Sequence, residues 1–546
     1  MCTVAASALL WYGYCYDRCI VVVRGIESSR ICSCWEVAMI AKIRSGAVRG
    51  IDGFGVTVEI DITRGLPAFT IVGLPNAAVR ESRERVISSI RNNGFKFPRK
   101  RVTVNLAPAD IRKEGASFDL PIAIGILLCS GQIRSQNTEE TIILGELALD
   151  GKLKPVKGIL PITCFARDSG LGCVVVPEKN SSEASAVSGI GVAACVDLGE
   201  SIDVLEGRSK PRPPIEPAGK VDPGFELDYS QVAGQRSAKR ALQVAASGGH
   251  NVLMIGPPGS GKTMLARRLV SILPPLDEDE ALECAKIKSV IGGLDGTGIS
   301  YRRPYRAPHH SASDAGLVGG GRNATPGEVT LAHNGVLFLD ELSEFRRNVL
   351  ETLRQPIEEG RIVISRASAS CCYPARVQLV AALNPCPCGY SGSKVNVCTC
   401  TPLQIRRYLT KISGPLLDRI SIHIPVRALS KSDLEDGFKI PGPASGEMRE
   451  AVMRAAGVQA DRYRGFESIR RNSDVPYSLL EDLCPMEAGA AGLLSKAQFS
   501  LHFSARSRKN IIQVARTIAD LSCSELIGSE HMAEAIQYRM PKTLCL

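Results

Sequence analysis

The 546-residue sequence predicts a multidomain α/β protein whose core domain is built on a parallel sheet. Its length exceeds what one hydrophobic core fills and corresponds to about three or four domains. A glycine loop stands between a strand-like and a helix-like segment in the middle of the chain, and a proline-rich stretch precedes that region. Hydrophobic residues make up 44% and charged residues 22% of the chain, which is typical of a globular protein.

The glycine loop reads GPPGSGKT and follows the apolar run NVLMI. Glycines let the backbone turn its N–H groups toward an anion, and a helix that starts directly afterwards strengthens the attraction. Lys262 is expected to reach the β- and γ-phosphates of ATP, and the Thr263 hydroxyl to ligate Mg²⁺. The predicted ATP-binding residues are Gly256, Pro257, Pro258, Gly259, Ser260, Gly261, Lys262 and Thr263.

Two further apolar runs end on polar residues of the kind that hydrolysis requires. VLFLDE ends on Asp340, expected to hold Mg²⁺, and on Glu341, expected to act as general base toward the attacking water. LVAALNP contains Asn384, whose carboxamide can orient that water against the γ-phosphate. The sequence therefore predicts a magnesium-dependent ATPase.

Two arginines are candidates for stabilising the charge that develops during hydrolysis. Arg419, in SGPLLDRI, is expected to reach the nucleotide of a neighbouring subunit. Arg506 opens a predicted helix and is expected to contact the γ-phosphate of its own subunit, with Arg508 as the alternative. If Arg419 acts on a neighbour, a monomer holds only part of each site, and hydrolysis requires a ring.

The segments before the glycine loop predict a separate α+β domain. VTVEIDI and RVTVNL alternate as strands do, whereas residues 76–92 carry apolar side chains at helical spacing. The prolines of residues 207–224 prevent both helix continuation and sheet pairing, which predicts a semi-rigid linker.

Residues 1–38 differ from the remainder of the chain. They hold both tryptophans and five of the nineteen cysteines without a persistent pattern, and we interpret them as an extension upstream of a true start at Met39. Their apolar stretch is shorter than the roughly 18–20 residues of a membrane span. We expect a cytoplasmic protein with reduced thiols and no membrane partner.

The sequence resembles AAA+ ATPases and, more narrowly, the magnesium-chelatase-like ComM/YifB family. The resemblance runs from Ile43 to about Tyr538 and includes VNLAPADIRKEG, RAPHHSASDAGLVGGG and PGEVTLAHNGVLFLDEL. It implies a Lon-protease-like domain (39–206), an AAA+ core (225–430) and a carboxy-terminal helical domain (431–546). It also implies hexameric rings and, for competence-type members, a DNA helicase that drives branch migration.

Peptidase activity is not expected from the Lon-like domain. In Lon proteases the serine nucleophile lies in a segment similar to KEGAS, so Ser117 falls at the matching position. Pro161 stands where the partner lysine is expected, and without that base the serine stays unactivated. Lys157 is the nearest alternative in the sequence.

A basic and aromatic insertion, residues 298–323, is the predicted DNA contact. Arg302, Arg303 and Arg306 alternate there with Tyr301 and Tyr305, a mixture able to follow a phosphate backbone and stack on bases. The net charge of +10 is compatible with a polyanionic partner. A solvated or intersubunit loop is the alternative interpretation.

Four cysteines within fifteen residues form a candidate zinc site: Cys386, Cys388, Cys398 and Cys400. Four thiolates suit tetrahedral Zn²⁺, although each pair is one residue tighter than the usual C-x-x-C. A loop of free thiols is the alternative.

Two other functions are compatible with the same ATPase. One is a chelatase-type motor subunit that remodels a partner enzyme, and the other is a protein-remodelling machine. DNA-stimulated ATP turnover would favour the DNA motor, whereas stimulation by a protein partner would favour the alternatives.

Overall fold

The computed structural model describes residues 40–111, 113, 115–135, 138–213, 227–294, 298–321, 324–366, 369–392, 396–428 and 442–539. Residues 1–38 and residues 214–224 of the predicted linker lie outside these ranges. Within them, no helix is both long and apolar enough to pass through a membrane.

The amino-terminal region begins with a four-stranded sheet of order β1-β2-β4-β3. β1 pairs antiparallel with β2 and β2 with β4, whereas β3 and β4 are parallel. Alternate residues such as Val56, Val58 and Ile60 are buried because successive side chains of a strand point to opposite faces. The elements are β1 Ala41–Arg49, β2 Asp52–Thr63, β3 Ala68–Val72, β4 Arg101–Ala107, α1 Ala77–Asn92 and α2 Asp119–Cys129.

A smaller parallel sheet of order β5-β8-β9 completes this region, together with the two-stranded pair β6-β7. The strands are β5 Thr141–Ile143, β6 Glu146–Leu147, β7 Leu153–Lys154, β8 Cys173–Pro177 and β9 Gly191–Cys195. The helices are α3 Ile159–Asp168, α4 Ser181–Ser185 and α5 Leu198–Leu205.

The core sheet has five parallel strands in the order β11-β14-β17-β10-β18. They are β10 Val252–Ile255, β11 Tyr305–Arg306, β14 Val336–Leu339, β17 Gln378–Leu383 and β18 Ile422–Pro425. Because all five run the same way, their carboxyl ends meet at one edge, where ligands bind in open α/β sheets. Both faces are covered: Met254 and Phe338 belong to one apolar cluster, and Leu253 and Leu337 to another on the opposite face.

Helices and two hairpins surround this sheet. The helices are α6 Arg236–Gly248, α7 Lys262–Ile272, α8 Glu278–Ile291, α9 Asp314–Leu317, α10 Glu328–Leu331, α11 Arg347–Thr352, α12 Arg354–Glu359, α13 Pro402–Leu409 and α14 Gly414–Leu417. The hairpins pair β12 Gly319–Gly320 with β13 Thr325–Pro326, and β15 Arg361–Arg366 with β16 Ala369–Pro374.

The carboxy-terminal region is helical and shares an apolar cluster with one face of the core sheet. Ile511, Val514 and Ile518 of α18 are buried in the same cluster as Val252 of β10. The helices are α15 Ser445–Arg462, α16 Leu480–Leu483, α17 Ala488–Leu501, α18 Ala505–Leu521 and α19 Ser529–Gln537. This arrangement confirms the predicted α/β multidomain class with a parallel core sheet and a helical carboxy-terminal region.

The amino-terminal region docks on the core through α3 and α8. Leu160 and Cys164 of α3 are buried with Ala285 of α8. The Gly158 N–H, which precedes α3, donates to the Ser289 carbonyl of α8 at 3.1 Å.

Candidate nucleotide-binding site

The glycine loop joins β10 to α7 at the carboxyl edge of the core sheet, as the sequence predicts. Gly259 and Gly261 have φ of +73° and +89°, a left-handed backbone that side chains disfavour. At Gly256 a Cβ would lie 2.0 Å from the Val426 carbonyl oxygen, so no larger residue fits. The local sequence thus fixes both the tight turn and the start of the helix.

Lys262, the first residue of α7, is buried within this loop. Its Nζ donates to the Gly256 carbonyl at 2.7 Å, to the Pro257 carbonyl at 2.9 Å and to Asn384 Oδ1 at 3.2 Å. Burial lowers the pKa of Lys262, and the charges of Asp340 and Glu341 oppose that shift. The present acceptors of the Lys262 ammonium are therefore neutral carbonyl and carboxamide oxygens. Charged phosphate oxygens are stronger acceptors and can replace them.

Thr263 and Asp340 lie together on neighbouring elements. The Thr263 hydroxyl donates to Asp340 Oδ2 at 2.7 Å, and the Glu341 N–H donates to Asp340 Oδ1 at 3.0 Å. Asp340 follows β14, so the parallel sheet places its carboxylate beside the start of α7. A hydroxyl and a carboxylate at hydrogen-bond distance fit the oxygen ligands that Mg²⁺ prefers.

Glu341 extends from the same edge with its side chain about half exposed at 53%. Its φ of +51° is unusual for a non-glycine residue. His310 Nδ1 lies 3.7 Å from Glu341 Oε2, and its ring packs on His309 at 4.1 Å between centroids. His310 belongs to the basic insertion, residues 298–323, and its place beside Glu341 is a finding of the structure that residue spacing does not predict.

The two predicted catalytic arginines converge on one carboxylate. Arg419 Nη2 and Arg506 Nη2 both donate to Glu358 of α12. Arg419 also donates through Nη1 to the Pro415 carbonyl at 2.7 Å, and its side chain is only 10% exposed. The hydrogen bond from Arg419 is the main cause that lowers the pKa of Glu358. Arg508, the alternative to Arg506, donates instead to Gln498 Oε1 at 2.9 Å.

Arg303 is a correction to the predicted DNA-contacting set. Its side chain is 5% exposed and forms an ion pair with Glu280 at 2.8 Å. It also donates to the carbonyls of Pro274 and Asn334, each at 2.7 Å. A guanidinium committed to buried acceptors cannot contact a DNA backbone, so Arg303 is a structural residue.

The neighbours of Arg303 differ in their contacts and in their exposure. Arg306 donates to both carboxylate oxygens of Glu328, at 2.6 and 2.7 Å. Tyr305 stacks on Phe338 with 6.3 Å between ring centroids, and its hydroxyl is buried, so its ring serves the core and is not presented to bases. Arg302 is exposed.

The residues matched to a Lon-type peptidase site each have a defined position in the amino-terminal region. Pro161 is buried within α3. Lys157 lies against the core, because a Cβ on Gly292 would be 2.9 Å from Lys157 Cε. The Ser117 carbonyl accepts the Gly145 N–H at 3.0 Å.

The four predicted zinc ligands are brought together: the Sγ atoms of Cys386, Cys388, Cys398 and Cys400 all lie within 4.8 Å of one another. They are the only group of three or more potential metal-ligating side chains found among the described residues.

Three stretches of the chain match family models. Residues 228–434 match the model described as "Magnesium chelatase, subunit ChlI", and residues 442–539 match its C-terminal counterpart. Residues 58–180 match the model described as "Subunit ChlI of Mg-chelatase".

Similar curated proteins cover nearly the whole chain. The "Uncharacterized protein YifB" of Escherichia coli is 42% identical over 91% of this chain and 96% of its own length. The "Competence protein ComM" of Haemophilus influenzae is 42% identical over 92% of this chain and 97% of its own length. The "Lon protease 2" of Bacillus subtilis is 24% identical over 33% of this chain and 36% of its own length.

Proposed function

Because the chain belongs to the ComM/YifB family of magnesium-chelatase-like AAA+ proteins, we propose that it is a magnesium-dependent ATPase that works as a ring and moves on DNA. The observation that carries the ATPase proposal is the contact between Thr263 and Asp340 beside the Lys262 ammonium. This brings a phosphate-binding cation and a magnesium-binding oxygen pair to one edge of the sheet. We assign the activity to residues 225–430.

Each residue has one task in this proposal. The loop N–H groups and Lys262 bind the phosphates, and Thr263 and Asp340 hold Mg²⁺, which shields phosphate charge when bound. Glu341 accepts a proton from the attacking water, and Asn384 orients that water. Asn384 already shares its Oδ1 with Lys262, so the water-orienting and phosphate-binding groups are positioned together.

Ring assembly follows from the place proposed for Arg419. The contact that Arg419 and Arg506 share with Glu358 gathers two cations at one acidic side chain. A neighbour's γ-phosphate is proposed to replace this carboxylate, since arginine forms charge-assisted hydrogen bonds with both groups. The partner is then a second copy of the chain, in a hexamer as the family implies, and Arg506 is proposed to contact the γ-phosphate of its own subunit.

We propose DNA as the polymer along which the ring moves. This proposal is supported by a relative named as a competence protein and by the net charge of +10. With Arg303 committed to the interior, Arg302 and Arg306 remain the candidates on the insertion. The alternative is a chelatase-type motor or protein-remodelling ATPase, which the chelatase-subunit family models support.

The deciding experiment measures ATP turnover alone, with single-stranded DNA and with forked DNA. Stimulation by either DNA, lost in Arg302→Ala, supports the DNA motor. ATP turnover that is indifferent to both DNAs contradicts it and favours a protein partner. No turnover under any condition contradicts the ATPase proposal itself.

The cofactors of this proposal are ATP and Mg²⁺ at the phosphate loop, and Zn²⁺ as a separate structural metal on the four cysteines. A cytoplasmic location, where these thiols stay reduced, completes the proposal.

A further inference from the structure

We infer that the four cysteines form a zinc site that braces the phosphate loop, so that the metal governs how well the loop binds nucleotide. The evidence for the metal site is the geometry around the four sulfur atoms, and it does not depend on ATP binding. Its effect on nucleotide rests on the proposed ATP function.

The sulfur positions match one tetrahedral ion. Cys386 Sγ lies 3.3 Å from Cys388 Sγ and 3.7 Å from Cys398 Sγ, and the latter two are 3.5 Å apart. Zinc–sulfur bonds of about 2.3 Å place the sulfurs of a tetrahedron about 3.8 Å apart. The three observed distances fall short of that value by about half an ångström or less, so small outward shifts of the sulfurs admit the ion.

Backbone amides support the cluster from outside. The Ser391 N–H donates to Cys386 Sγ at 3.3 Å, and the Cys388 N–H donates to Cys400 Sγ at 3.4 Å. Such donors stabilise the negative charge that thiolates carry as metal ligands and fix their orientation. Gly389 has a φ of +83°, which supplies the reversal that the short Cys-Pro-Cys spacing needs.

A metal explains this grouping better than disulfides do. A disulfide draws two sulfurs to about 2.05 Å and sets each pair apart from the other. Here all four sulfurs lie within 4.8 Å of one another, so no cysteine has a single preferred partner. Tetrahedral sets of four thiolates select zinc or iron, and the redox-inert zinc ion suits a site with no open position.

The cluster touches the nucleotide site at two points. Cys386 is completely buried and stands two residues after Asn384, whose Oδ1 accepts a hydrogen bond from Lys262 Nζ. Gly389 lies against the phosphate loop, because a Cβ there would be 2.5 Å from Pro258 Cδ. A metal that fixes Cys386 and Cys388 therefore fixes both Asn384 and the surface on which Pro258 rests.

The first experiment measures metal in the full-length protein purified without chelator. We expect about one zinc per chain. The double variant Cys386→Ser/Cys398→Ser should lose it, whereas the control Cys371→Ser/Cys372→Ser, a pair on β16, should keep it. Wild-type protein reloaded with Co²⁺ should show the thiolate charge-transfer and intense d–d bands of a tetrahedral sulfur site. Protein without zinc and without these bands, protein that carries iron, or four cysteines recovered as disulfides would overturn the site.

The second experiment tests the contact between Gly389 and Pro258 separately from metal binding. It measures the affinity for a fluorescent ATP analogue. Gly389→Ala adds a methyl group toward Pro258, whereas Gly392→Ala adds one at a similar φ of +75° with nothing within 4 Å. Each variant places alanine at a positive φ, so zinc content is measured in both and affinities are compared at equal zinc occupancy. Affinity should fall in Gly389→Ala, because the added methyl group displaces Pro258, and stay unchanged in Gly392→Ala.

The outcomes distinguish this inference from the ATPase proposal. Two results would show that the zinc site does not support the phosphate loop. One is an equal affinity for the ATP analogue in zinc-loaded Gly389→Ala and wild type, and the other is an equal loss of affinity in Gly392→Ala. Wild-type protein that holds zinc but neither binds nor hydrolyses ATP would overturn the ATPase proposal and the brace, and the zinc site would stand on its metal content.

Discussion

Lys262 and Glu341 stand at the same sheet edge in opposite settings. Lys262 is buried among loop oxygens, whereas Glu341 is half exposed on a strained backbone. A buried cation suits binding of an anion that is always present in the complex. An exposed carboxylate near the surface suits contact with a water molecule that must enter and leave.

This difference predicts different defects in two variants. Lys262→Ala should abolish ATP binding, because the phosphates lose their cation. Glu341→Gln should retain ATP and slow hydrolysis by about 10²–10⁴-fold, the usual contribution of a general base. Equilibrium binding and single-turnover hydrolysis check the pair, and normal turnover by Glu341→Gln would remove Glu341 from the base role.

His250 links the start of β10 to the carboxy-terminal helices. Its Nε2 lies 2.8 Å from the Thr517 hydroxyl of α18, and burial lowers the pKa of His250 to about 3. The unfolded chain takes up this proton near pH 6.5, whereas the folded protein does so only near pH 3. The neutral form of His250 therefore contributes its full stabilisation above pH 6.5, and this contribution is lost as the pH falls toward 3.

His250→Gln should flatten this pH dependence. Below pH 6.5 the slope of the unfolding free energy against pH should decrease by up to about 1.4 kcal/mol per pH unit, the value for one proton. Urea unfolding at pH 7.5 and pH 5.5 measures the slope, with the exposed His309→Gln as control. An unchanged slope in His250→Gln would show that its imidazole does not titrate differently on folding.

At the scale of elements, the short strand β11 is held in place by Arg303. This side chain ties the segment before β11 to Glu280 of α8 and to the Asn334 carbonyl before β14. Without the Arg303 side chain, the Glu280 carboxylate and the Asn334 carbonyl would stay buried and would each lose a hydrogen-bond partner.

Arg303→Ala should destabilise the protein by about 3 kcal/mol, the lower end for breaking a buried ion pair. The lower end applies because Arg470 lies 3.6 Å from Glu280 and offers a second cation. Arg302→Ala, at the exposed neighbouring position, should change stability by less than about 0.5 kcal/mol. Thermal and urea unfolding compare the two, and equal stabilities would contradict the structural role of Arg303.

How far the sequence predicts each element depends on how local its determinants are. GPPGSGKT and VLFLDE are contiguous, so their strand, loop and helix context could be located from residue type alone. The partners of Arg303 lie 23 and 31 residues away, and Arg419 and Arg506 meet Glu358 from 61 and 148 residues away. Those contacts depend on how the helices pack, which periodicity does not encode, and so the basic insertion could be recognised as a segment but not assigned to surface or interior.

At the scale of the whole molecule, the proposed ring predicts complementation between inactive proteins. Arg419→Ala should bind ATP nearly normally but hydrolyse it poorly, and Lys262→Ala should bind none. In evenly mixed rings, about one quarter of the interfaces combine an intact loop with an intact arginine from the neighbour, so activity should return in part. Mixed rings as inactive as either parent would contradict the action of Arg419 on a neighbour's nucleotide.

The docking of α3 on α8 has a mechanical consequence. α8 begins soon after α7, the helix that starts in the glycine loop, so the amino-terminal region is attached one helix away from the proposed phosphate site. A small tilt of α8 during turnover would swing that entire region, as a lever arm enlarges a movement at its pivot.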